Sequence, residues 1–103
     1  SNDVNVVLST ENAVPGPPST PTYSLSGSTV SVSWQSPASG GAPTGYVLEA
    51  GSRSGAADLG VTPTAVSGLV ATSVPPGTYY VRVRATNGAG TSEPSGETII
   101  VIR

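Results

Sequence analysis

The residues of this chain that could do chemistry are few, and most lack the partner their chemistry needs. Serine and threonine are plentiful, but the sequence holds no histidine, lysine or cysteine. A serine nucleophile needs a neighbouring base to take its proton, so Ser-His-acid hydrolysis has no base here. Gly51-Ser52-Arg53-Ser54-Gly55 has the outline of a nucleophile elbow, yet its central residue is arginine and it lies between strand-like runs. It is expected to be a mobile loop. Two carboxylates facing each other across a cleft could hydrolyse a glycosidic bond. The nearest pair in sequence, Glu93 and Glu97, flanks Pro94-Ser95-Gly96 ahead of a strand and is expected to be solvated and unpaired. Asp3, Glu11 and Asp58 match no calcium-loop spacing. Without Cys or His there is neither thiolate chemistry nor a Cys/His zinc site. Gly88-Ala89-Gly90 begins like a phosphate loop, but Glu93 stands where a third glycine belongs and a strand follows in place of a helix. No catalytic residue, cofactor or metal ligand is therefore assigned, and the chain reads as a non-enzyme.

One cluster remains. In "TYYVRVRAT" the alternation puts Tyr80, Arg82 and Arg84 on one face of a strand and Tyr79, Val81, Val83 and Ala85 on the other. Glu49 and Val47 project from the strand expected beside it. A planar ring beside hydrogen-bond donors can hold a carbohydrate or a protein partner. The plainer alternative is that Glu49 pairs with an arginine across the sheet, contributing about 0.2–1 kcal/mol, while the arginine stems shield backbone. Sugar sites normally use several exposed aromatics. Of five aromatic residues, Trp34, Tyr46 and Tyr79 are expected inside, which leaves Tyr80 and Tyr23.

The elements that position these residues are strands. The 103 residues suit one domain, and Gly (13) and Pro (10) fall between runs of Val, Thr, Ile and Tyr, as turns between strands do. "STVSVSWQS" alternates strictly, with Val30, Val32 and Trp34 on one face. "GYVLEAGS" places Tyr46, Leu48 and Ala50 inward, and "SGLVATSV" offers Leu69 and Ala71, with Val74 closing its end. "ETIIVIR" is too apolar for its faces to be told apart. Short strands at Tyr23 to Ser26 and Asp58 to Thr62 bring the count to seven, and no segment has helical periodicity. The predicted core includes Trp34, Tyr46, Leu48, Tyr79, Val81 and Val83. The architecture expected is all-β, a seven-stranded immunoglobulin-like antiparallel sandwich.

Three segments are distinguished: residues 1–12, 13–18 and 19–103. "AVPGPPSTP" is proline-dense, and 13–18 reads as a semi-rigid connector. Residues 1–9 resemble 95–103 at an offset of 94 residues: Asp3 falls on Glu97, Val6 on Ile100 and Val7 on Val101. Either 1–12 is the last strand of a preceding repeat, or the match reflects only the sameness of strands. As an unpaired strand, residues 3–9 would add to the sheet edge of a neighbouring copy and produce a dimer. Six acids against four arginines, a net charge of −2, argue against nucleic acid and an anionic membrane surface. No apolar run approaches a bilayer span, and no signal peptide is visible.

A proline-led first strand, Trp34 closing an alternating strand, "TGYVLEAG", "VPPGTYYVRVRA" and "NGAGTSEPS" occur in that order. Together they resemble a fibronectin type III domain of the Gly/Ala/Thr-rich bacterial style. The resemblance implies that Trp34 and Tyr46 are core aromatics. It makes Tyr79 a corner tyrosine whose hydroxyl returns to backbone near Pro75-Pro76-Gly77, and Asn87, Gly90, Ser92 and Pro94 the loop before the last strand. Val74 replaces a more usual leucine. The Arg-Gly-Asp of adhesive members is absent, Asn87-Gly88-Ala89-Gly90 standing there. The function implied is a non-catalytic spacer positioning neighbouring domains of the same chain, at the cell surface or secreted, as in multi-modular polysaccharide-degrading enzymes. The alternative is a module binding a carbohydrate or protein through the Tyr80/Arg82/Arg84 face or its adjoining loops.

Overall fold

The computed structural model describes residues 13–103. The possible repeat strand in 1–12 and the pairing expected of residues 3–9 lie outside them. Eight strands follow one another: β1 Thr22–Ser26, β2 Thr29–Ser33, β3 Gly45–Gly51, β4 Gly60–Thr64, β5 Gly68–Ala71, β6 Gly77–Asn87, β7 Gly90–Thr91 and β8 Thr98–Ile102. One sheet has the order β1-β2-β5; the other runs β4-β3-β6, with β7 and β8 both paired to β6. All pairings are antiparallel. The result is a sandwich of two antiparallel sheets.

The strict alternation of β2 and β6 explains the core. Val30, Val32 and Trp34 from one sheet meet Tyr46, Leu48, Val81, Val83, Ala85, Ile100 and Ile102 from the other, all buried. Ala50, Leu69, Val74 and Tyr79 pack against this cluster. Trp34 and Tyr46 meet edge to face, 5.6 Å between centroids at 72°, an arrangement that satisfies the ring quadrupoles. In β8 the inward residues are Ile100 and Ile102, while Ile99 and Val101 face out.

Eight strands are present where seven were expected, because the last one is interrupted. β7 and β8 lie along the same side of β6, at Thr86–Asn87 and at Gly77–Val81 respectively. Between them runs Ser92 to Glu97, where Pro94 has no N–H to give a ladder. β4 also begins two residues later than Asp58, because the Asp58 carboxylate is engaged in the preceding loop.

Residues 13–18, read as a connector, lie along the body. Pro15 and Pro18 are buried. The Gly16 N–H donates to the Ser39 carbonyl (3.0 Å) and the Gly41 N–H to the Val14 carbonyl (3.2 Å). The approach is close enough to demand glycine: a Cβ on Gly16 would sit 2.9 Å from the Ser39 carbonyl oxygen, and Gly40 holds φ +80° against the backbone of Pro15 and Gly16.

Candidate functional site

The register of β3 on β6 sets Glu49 opposite Arg82 and Val47 opposite Arg84. Glu49 lies between the two arginines: Arg82 Nε donates to Oε1 at 2.6 Å and Arg84 Nε to Oε2 at 3.0 Å. Arg84 Nη1 also donates to the Ser92 carbonyl at 3.1 Å, tying β6 to the segment before β8. The three side chains are 13–28% exposed. The geometry is a carboxylate clamped by two guanidinium groups through their Nε edges, which fixes β3 on β6. Tyr80 lies half-buried in the same row, opposite Gly51 on one side and Ile99 on the other.

Tyr79, on the opposite face, donates its hydroxyl to the Pro75 carbonyl at 2.6 Å. This closes the turn into β6 over four residues. At the far end of β6, Asn87 is saturated. Its Nδ2 donates to the carbonyls of Ala13 (2.7 Å) and Ala42 (3.2 Å), and its Oδ1 accepts from the N–H groups of Ala89 and Gly90. One side chain thus joins the incoming chain, the loop ahead of β3 and the β6–β7 turn.

Two expectations are corrected here. Glu97 is not unpaired: its carboxylate accepts from Ser54 Oγ at 2.7 Å and the Gly55 N–H at 2.8 Å. The Ser52–Asp58 loop is consequently fastened from both sides, since Asp58 accepts from the Ser52 N–H (2.9 Å) and hydroxyl (2.7 Å). The Gly55 amide, then the Ser54 hydroxyl, hold the Glu97 carboxyl below its ordinary value. The Ser52 amide and then its hydroxyl do the same for Asp58. Carboxylates with lowered folded-state values contribute stability that is complete above the unfolded-state range, roughly pH 4–4.5, and lost as pH falls through the lowered values. Protection factors of the Ser52 and Gly55 amides, taken against the intrinsic exchange rate at each pH, are therefore expected to fall on acidification below that range while that of Val83 holds. Unchanged protection at Ser52 and Gly55 in acid would contradict the double anchorage.

Sequence reasoning missed Ser95. Ser92 and Ser95 are both buried, and each hydroxyl takes the place of a ladder carbonyl. The Ala85 N–H donates to Ser92 Oγ (2.8 Å) and the Val83 N–H to Ser95 Oγ (2.9 Å). Each hydroxyl donates onward, to the carbonyls of Glu93 and Gly96. The signal was present in the spelling: two serines flank the proline where β6 loses its regular partner.

Among the described residues no three His, Cys, Asp or Glu side chains stand close enough to hold a metal ion. No helix there is long and apolar enough to cross a membrane. Residues 16–101 match the fibronectin type III domain family. The chain belongs to that family. Its matched region begins ahead of residue 19, in keeping with the burial of Pro15 and Pro18 in residues 13–18. No curated protein matches in sequence. Among solved structures the domain is similar to a crystal structure of a stretch of titin domains, at 26% identity and a TM-score of 0.70 over 86% of this chain. It is likewise similar to the twitchin kinase region from C. elegans, at 26% identity and 0.71 over 86%. Titin kinase with its flanking domains, at 24% identity and 0.72 over 87%, shares the fold. The chain spans only 32% of the first of these and 17% of each of the others. Fibronectin type III domains are commonly non-catalytic structural modules set beside other domains, as in these chains.

Proposed function

We propose that this domain is a spacer: a non-catalytic unit that sets the distance and orientation between its neighbours in a larger, extracellular, multi-domain protein. One observation carries the reading. The incoming chain is held at Asn87, where β6 ends, and the outgoing chain pairs with Gly77, where β6 begins. The two therefore leave from opposite ends of an eleven-residue strand, about 33 Å apart at roughly 3.3 Å per residue. The arginines that could have formed a binding face are turned to clamping Glu49. The placement outside a bacterial cell is supported by the Gly/Ala/Thr-rich style of the sequence; titin and twitchin bear on modular arrangement and not on compartment.

Incubation with insoluble polysaccharides (cellulose, chitin, xylan) tests the reading. The expected outcome is as much protein left in solution as in their absence, for both the wild type and Tyr80→Ala/Arg82→Ala. Depletion by one polysaccharide, abolished in the double variant, would replace the spacer with a carbohydrate-binding module.

A further inference from the structure

The sandwich has several exposed strand edges, and they are not equally guarded. β4 carries Pro63 next to its last residue and β5 is only four residues long. The upper part of the β6 flank is broken by Pro94. β8 is different. Thr98–Ile102 reads TIIVI, without proline, glycine or charge, and among the described residues it pairs with β6 alone. Natural edges of this length are usually blunted by a charge, a proline or a bulge. Here the outward residues are apolar: Ile99 is 52% exposed and Val101 39%. β1 starts beside β8, where the Thr98 hydroxyl donates to the Pro21 carbonyl. Its Tyr23 and Leu25 stand opposite buried Val32 and Val30, yet remain 40% and 44% exposed. Among the described residues, nothing covers this apolar flank of the sandwich.

The charges around β8 specify what covers it. Glu97 stands one residue before the strand and Arg103 one after. With Ile99 and Val101 facing out, the period of two places Glu97 and Arg103 on that same outer face. An antiparallel pairing of two β8 strands centred on Ile100 sets Ile99 against the partner's Val101 and Glu97 against the partner's Arg103, each twice by two-fold symmetry. Centring on Ile99 sets Glu97 against the partner's Val101, and centring on Val101 sets Ile99 against the partner's Arg103, so either register separates the charges. The Glu97 carboxylate keeps lone pairs for this contact beyond those used by Ser54 and Gly55.

We propose that β8 is a self-association edge: two copies of this chain pair their β8 strands antiparallel about Ile100, joining their larger sheets into one continuous sheet. A single-strand contact is small beside a permanent dimer interface, so the association depends on concentration. It is independent of the spacer reading.

The chain has no cysteine, which makes the register directly testable. Directly opposed strand residues lie within disulfide reach. Ile99→Cys and Val101→Cys proteins, mixed under mild oxidation, are expected to cross-link to each other far faster than either does alone. Sedimentation velocity then reads the charges. Glu97→Arg or Arg103→Glu alone is expected to raise the dimer dissociation constant about tenfold, and the double reversal to restore it. Restoration separates pairing across the two-fold from mere loosening of the Ser52–Asp58 loop. A monomer at every concentration with no cross-link in the mixture would overturn the proposal. So would self-cross-linking of each variant alone, or a dimer that vanishes when residues 1–12 are removed.

Discussion

Trp34→Ala is expected to lower stability by about 3–5 kcal/mol, read as a fall in the urea midpoint. Trp34 is 4% exposed and wedged between the sheets, against Tyr46 on the facing one. Its loss opens a cavity at the point where β2 and β3 hold the two layers together. A domain of this size has about 5–15 kcal/mol in total, so this one substitution removes a large share of it. Trp34→Phe separates packing from hydrogen bonding. The indole N–H meets no acceptor among the described residues, so phenylalanine keeps an edge-to-face ring while removing a buried, unpaired donor. It is expected to cost well under half of what alanine costs. Equal losses for the two substitutions would show that ring packing is not what holds the layers together.

Ser92→Ala and Ser95→Ala are each expected to cost about 1–3 kcal/mol, the penalty for leaving a buried backbone N–H without an acceptor. The donors are Ala85 and Val83, both 0% exposed. The two substitutions fall on one short segment, so their effects are not expected to add. Amide exchange localises the effect: Ser92→Ala should release Ala85 first, and Ser95→Ala Val83 first. A loss spread evenly over β3 and β6 would mean that the serines act through general packing, not as stand-ins for ladder carbonyls.

The period of two made the sandwich legible. β2, β3 and β6 alternate so strictly that their inward and outward residues could be named from the sequence, and Glu49 could be set beside the arginines. β8 could not be resolved in this way, because five consecutive β-branched residues carry no alternation; only pairing with β6 separates Ile100 and Ile102 from Ile99 and Val101. What escaped sequence reading was of another kind. Ser95, Glu97 and Asp58 act through hydrogen bonds to backbone amides of β6 or of the Ser52–Asp58 loop. Such partners leave no trace in residue type, since every residue but proline offers the same N–H. Asn87 could be assigned to a loop, but its bond to Ala13, 74 positions away, required the folded chain.

The chain enters and leaves at opposite ends of β6 along a fixed path. Spin labels on Ala13→Cys and Arg103→Cys, in doubly labelled protein diluted with unlabelled protein, measure that span by pulsed electron paramagnetic resonance. A single narrow distance of about 33 Å, broadened only by the label arms, is the expected result. A short distance, or a broad distribution showing that the Asn87 tie does not hold the incoming chain, would contradict it.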